Sequence, residues 1–191
     1  VNTKPPGWLY LSVVFATALV TLWLASVYEW YGIQLFLLVL IVWIPLIGVW
    51  AVRYGLAASS DRAVASARRW FAPWFIVGSV MIALVLDAPL WIRFAVSAPS
   101  MTAFAEAVIE EGPPQETCRW LGLYYMCYEF QYSTLEGEDV PGSAAFGVED
   151  GFYAEGKGFL YLPEGVPEET GDDSYRHLIG PWYAWQGWNH W

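Results

Sequence analysis

Three long apolar runs fill the first half of the chain, and they constrain the fold more than any other feature. The first occupies residues 8–28 and holds no charge. The second occupies residues 33–53 and meets its first charge at Arg53. The third occupies residues 71–92, interrupted near its end by Asp87 and Pro89. A helix needs about 20 apolar residues to cross about 30 Å of hydrocarbon. A chain of 191 residues has too little remaining sequence to bury three such helices in a soluble core. Charged residues make up only 15% of the chain, against about 25% in an ordinary soluble domain. The expected fold is therefore a membrane α + β protein. It comprises three transmembrane helices in residues 1–96, a short amphipathic linker helix at 97–112, and a small antiparallel β-rich domain at 113–191. The first run read as a signal peptide is the alternative. Its basic region is only Lys4 and its Ala25-Ser26 site precedes bulky Val27 and Tyr28, so an uncleaved span is preferred.

Charge sets a direction. Residues 1–97 carry six basic against three acidic side chains, whereas residues 98–191 carry three against sixteen. The connection at 54–70, flanked by Arg53, holds Arg62, Arg68 and Arg69 with one aspartate, and the positive-inside rule makes it cytoplasmic. The connection Glu29-Trp30-Tyr31-Gly32 has no basic residue and is expected outside. The N-terminal side of the first span is then cytoplasmic and the acidic half extracytoplasmic, at the plasma membrane. Aromatic residues agree, with Trp8, Tyr10, Trp50, Tyr54, Trp70 and Trp74 at inner span ends. Such rings favour the interface. Pro45 is expected to distort the second helix locally. No ionisable residue falls at mid-span, which argues against an ion or proton path. Ser59-Ser60-Asp61 could cap a short helix running to Arg69 in the arginine-rich connection.

The linker helix is read from Met101, Phe104, Ala105, Val108 and Ile109, which recur at helical spacing, with Pro99 in the first turn and Gly112-Pro113-Pro114 as the stop. Beyond it the pattern alternates as in strands. Residues 119–132, 144–148, 151–155, 158–162, 175–178 and 181–188 are strand candidates, giving a sheet of four to six strands. Residues 136–142 read as a polar turn and 163–174 as an acidic loop. Cys118 and Cys127 are the only cysteines. A straight strand would separate them by about 30 Å, far beyond disulfide reach. A bridge requires the chain to reverse, most easily at Gly122; one long strand leaves two free thiols. An oxidising compartment favours the bridge.

Signals for chemistry are sparse. Asp172, Asp173 and His177 are close in sequence and could hold a metal, although a solvated acidic loop is the preferred account of them. Glu149-Asp150 and Glu168-Glu169 pair carboxylates without any glycosidase spacing. No nucleophile elbow, phosphate loop or zinc-protease motif occurs. Catalysis is unsupported by any motif, an enzyme with an unseen site stays open as a third reading, and no cofactor is expected. A half that carries sixteen acidic side chains against three basic ones repels phosphates, so nucleic acid is not a partner. The lipid bilayer is a partner, and a membrane protein is a second. Aromatic crowding is the strongest remaining signal. Trp182, Tyr183, Trp185, Trp188 and Trp191 are expected to serve as core, membrane contact, or a surface for a partner or ligand.

The stretches Gly158-Phe159-Leu160-Tyr161-Leu162-Pro163 and Tyr175-Arg176-His177-Leu178-Ile179-Gly180-Pro181-Trp182-Tyr183-Ala184-Trp185 carry a family likeness. The second ends in a His-Leu-x-Gly-x-Trp-Tyr pattern, and Trp120-Leu121-Gly122-Leu123-Tyr124 matches an earlier strand. This region, about the last 70 residues, resembles small uncharacterised membrane proteins of actinobacteria. The resemblance implies a cell-envelope location and brings no activity with it. The cysteine pair and the extra C-terminal tryptophans depart from the pattern. The expected function is an anchored extracytoplasmic interaction module or accessory subunit of a membrane complex. A module binding an envelope glycan or small ligand through surface aromatics is the alternative.

Overall fold

A computed structural model describes residues 6–28, 32–58, 67–112, 117–149, 156–169 and 173–187. The expected turn at 29–31, most of the capped helix at 59–66 and the strand at 151–155 lie outside the described residues. The chain forms two compact units, Val1–Ala25 with Trp30–Pro89, and Ser26–Glu29 with Leu90–Trp191.

The first unit is helical. It contains α1 (Trp8–Leu24), α2 (Ile33–Leu38), α3 (Ile44–Ala58) and α4 (Ala67–Val85). A single π turn, Val39–Trp43, joins α2 to α3. Pro45 explains it: the proline ring has no N–H and crowds the carbonyl four residues earlier, and a widened turn absorbs both. The helices pack through Val14, Ala18, Trp43, Val80 and Leu84. Polar groups on these helices are paired internally. The Trp43 indole N–H donates to Thr21 Oγ1 at 3.1 Å, and Thr21 Oγ1 donates to the Thr17 carbonyl at 2.8 Å. The Tyr10 hydroxyl donates to the Leu46 carbonyl. Trp50 stacks on Tyr54 at 5.0 Å and meets Trp74 edge-on at 5.1 Å, and its N–H donates to the Trp70 carbonyl.

Among the described residues two helices, not three, are long and apolar enough to cross a membrane: Ile33–Ala58 and Ala88–Glu111. Trp8–Leu24 is apolar but shorter. The helix of the first run ends at Leu24, before residue 28, and Ser26 belongs to the second unit. The third run does not continue to residue 92. It breaks after Val85, where Asp87 adopts φ +49 and Pro89 follows. A proline there would clash with a continuing turn, whereas it suits the first turn of a new helix.

That new helix, α5 (Ala88–Glu111), replaces the expected short linker at 97–112. Pro99 lies in its interior rather than its first turn. Burial holds the helix continuous across the proline: Leu90, Phe94, Met101, Phe104, Ala105 and Val108 all pack into one core with the sheet. Ser97 is fully buried between them.

The sheet has six antiparallel strands: β1 (Cys118–Leu121), β2 (Tyr124–Phe130), β3 (Ala144–Val148), β4 (Lys157–Tyr161), β5 (Asp173–His177) and β6 (Trp182–Gly187). Their order is β1-β2-β3-β4-β6-β5. Alternation divides the side chains. Tyr124, Met126, Phe146, Phe159, Trp182 and Ala184 face α5. Ala145, Leu160, Tyr183 and Trp185 face the other way, under Tyr132 and Leu162. All five residues of β3 are buried, because both faces are covered.

The chain reverses at Gly122-Leu123, with Gly122 at φ +63. This two-residue turn sets Cys118 directly opposite Cys127, and the two are joined in a disulfide. Replacing both by serine is expected to cost about 2–3 kcal/mol, from the loop of about ten residues that the bridge closes in the unfolded chain. Denaturant titration of the full chain in detergent, read by near-UV circular dichroism, measures it.

Candidate functional site

A cleft of about 150 Å³ opens on the sheet face turned away from α5. Phe130, Tyr132 and Tyr175 supply its rings, Glu168 and Asp173 its carboxylates, and Ser133–Leu135 its lip. Register explains the grouping. Tyr175 pairs with Trp185 and Asp173 with Gly187, so both point to the face that carries Trp185. Tyr132 is placed by Ser143, whose Oγ accepts its backbone N–H at 3.1 Å, and by Val140, whose N–H donates to its carbonyl.

Glu168 is fixed from two sides. Its carboxylate accepts the Leu135 N–H at 2.8 Å, and its own N–H donates to the Tyr132 hydroxyl oxygen at 2.8 Å. The Tyr132 and Tyr175 rings meet edge to face at 6.1 Å. Burial, with Asp173 and Tyr132 adding to it, pushes the Tyr175 hydroxyl well above the usual tyrosine range, so it stays neutral. The arrangement is a preformed aromatic notch with negative charge at its edge.

A second acidic group lies on the same face. Glu129 is the extra residue where the β2–β3 register shifts between Tyr128 and Phe130. The residue as a whole is exposed, but its carboxyl lies in the space that a side chain at Gly147 would fill. Burial first, and the charge of Glu149 second, raise this carboxyl to about 7. The folded protein keeps the proton between the usual glutamate value of 4.5 and about 7, where the unfolded chain has lost it. Stability from this group is thus complete below 4.5 and lost as pH rises through 7. The melting temperature of the wild type is expected to fall from pH 5 to pH 8 more steeply than that of Glu129→Gln.

No protein-family model, curated protein or solved structure matches the chain.

The residues singled out by sequence fall as follows. Cys118 and Cys127 are bridged. Trp182, Tyr183 and Trp185 are buried, so they form no ligand surface. Their strand, β6, lies between β4 and β5 and is covered on both faces. Trp182 is tied to α5, its indole N–H donating to Thr102 Oγ1 at 3.0 Å. Trp188 and Trp191 lie outside the described residues. So does Asp172. Asp173 and His177 occupy opposite ends of β5, about 13 Å apart at strand spacing. The His177 ring nitrogen Nε2 sits 2.9 Å from the Gly180 carbonyl. Among the described residues no three His, Cys, Asp or Glu side chains gather as metal ligands.

Sequence reasoning missed the cleft. Glu168 was visible only as half of a carboxylate pair, and Tyr132 only as one aromatic among many. The usable signal was the parity of β5, which sets Asp173 and Tyr175 on one face.

Proposed function

We propose that this chain is an integral membrane protein whose α1, α2–α3 and α4 helices anchor the disulfide-bonded sheet unit outside the cytoplasm, where its cleft binds a ligand or partner. One observation carries the reading. The helical segment Ile33–Ala58 is 26 residues long, and only 6% of its most apolar stretch is buried. At 1.5 Å per residue it is about 39 Å long, enough to cross a bilayer with tilt. Ile41, Val52, Phe75 and Val85 are all largely uncovered. Bare apolar surface of this extent is stable against lipid and not against water.

Further features support the direction. Trp50, Tyr54, Trp70 and Trp74 form a ring cluster where α3 ends and α4 begins, as expected of an interfacial belt next to the arginine-rich connection. A disulfide suits an oxidising compartment, and the family resemblance points to the cell envelope. We read α5 as a core helix of the sheet unit rather than a span, since its apolar face is already occupied. Helices α1 and α4 then cross at close to minimal length.

Retention of the protein in membranes after alkaline carbonate extraction is expected. After mild reduction of intact cells, a membrane-impermeant maleimide added outside should label Cys118 and Cys127. Release by carbonate, or labelling reached only after permeabilisation, would falsify the reading. Trp120, 60% exposed and 5.5 Å from Tyr125, favours a second reading, an envelope glycan stacked on this edge of the sheet. Loss of glycan binding in Trp120→Ala tests it.

A further inference from the structure

The cleft has a definite chemical character, and that character narrows the ligand. We propose that it recognises an organic cation, a guanidinium or primary ammonium group, held between the Tyr132 and Tyr175 rings and the carboxylates of Glu168 and Asp173. This rests on the reading of the sheet unit as a binding module.

The first argument is the sorting of charge by the sheet. Lys157 pairs with Gln186, and Arg176 with Ala184, so both stand on the α5 side with Phe159 and Ala184. The Arg119 guanidinium lies over the Phe104 ring of α5 at 4.1 Å, and Arg93 belongs to α5 itself. Every lysine and arginine among the described residues of this unit is therefore on the helix side. Glu168 and Asp173 are on the cleft side. A face sorted in this way attracts cations and repels carboxylate or phosphate ligands.

The second argument is the wall. Tyrosine faces attract cations through the ring quadrupole, most strongly where water is excluded. Both rings are held in place, by their contact with each other and by the Glu168 N–H on the Tyr132 hydroxyl. The third argument is size. A cavity of 150 Å³ holds a group of about the volume of benzene. A guanidinium or ammonium head fits. The Glu168 carboxylate is already oriented by the Leu135 N–H, so binding orders little that is free.

The cation can be a free small molecule or a basic side chain of another protein, and the test separates them. Full-length protein in detergent is titrated with agmatine and with a capped Ala-Ala-Arg-Ala-Ala peptide, each followed through the tyrosine ring resonances. The same peptide with citrulline in place of arginine is the neutral control. Saturable binding of a cationic probe is expected, with the citrulline peptide at least about tenfold weaker. Tighter binding of the peptide than of agmatine identifies a protein side chain, and the converse a small molecule. Glu168→Gln should weaken the cation by about tenfold. It retains an oxygen for the Leu135 N–H, so its melting temperature should match the wild type. Tyr175→Leu should weaken binding similarly. Equal binding of citrulline and arginine peptides, silence of both cationic probes, or unchanged affinity in Glu168→Gln overturns the proposal. A neutral ligand seated in the cleft while cations are refused overturns it too, yet leaves the binding-module reading standing.

Discussion

Arg93→Ala is expected to lower the stability of the sheet unit by about 3–4 kcal/mol, from the lost hydrogen bonds, the unpaired carbonyl and the void left behind. Arg93 is only 4% exposed on α5. Its Nη2 and Nε both donate to the Leu123 carbonyl, at 2.6 and 3.2 Å, and its Nη1 donates to Ser26 Oγ at 2.8 Å. Its guanidinium carbon lies 3.9 Å from the centre of the Tyr124 ring. The Tyr124 hydroxyl in turn donates to the Ser26 carbonyl at 2.8 Å. One side chain thus joins α5, the β1–β2 turn and the segment after α1. Arg93→Lys should recover only part of the loss, since an ammonium lacks the planar fork that reaches both partners while stacking. Denaturant titration of the full chain in detergent, read by near-UV circular dichroism, gives the difference. A loss below about 1 kcal/mol, within the range of one ordinary hydrogen bond, would remove Arg93 from this structural role.

Gly122→Ala is the second large effect, expected at about 3 kcal/mol. Two causes add. Gly122 sits at φ +63, which a side chain resists, and the new Cβ would lie 2.7 Å from the Ser97 Cα and Oγ. The contact involves backbone of a packed helix, so it cannot be relieved by a rotamer change. Moving Ser97 also breaks the bond its Oγ accepts from the Leu123 N–H at 2.9 Å. Gly137→Ala separates the two causes, because Gly137 has φ +80 and open space around it. That variant should lose only the conformational part, about 1–2 kcal/mol. Equal losses in the two variants would show that the approach of the hairpin to α5 carries no cost.

The legible parts of the fold were those with local causes. Strand β3 spans the expected Ala144–Val148, a short apolar run set off by glycine and acidic segments on either side. The turn at Gly122 was legible because only a reversal could bring the two cysteines together. The interruption at Asp87 and Pro89 was legible, but not that a separate helix, Ala88–Glu111, starts there, because the apolar run continues beyond it. Pro99 misled in the opposite direction: it reads as a helix start, yet packing of Phe94 and Met101 on either side keeps α5 whole. The aromatic ending left its role open between core and surface. A crowd of rings reads the same whether it lines a surface or a core, and only the insertion of β6 between β4 and β5 buries Trp182 and Trp185.

From sequence alone came the apolar helices, the antiparallel sheet, the cysteine pair as a candidate bridge, and the separation of basic from acidic halves. Each depends on the order of residues along the chain or on spacing within a few turns. Tertiary structure decided the rest: that α5 is the sheet's core helix, that Arg93 is buried, and that Tyr132, Glu168, Asp173 and Tyr175 share one cleft. Those outcomes depend on which strand lies beside which. Strand order is set by the summed burial of the whole sheet, and no local stretch of sequence carries that sum.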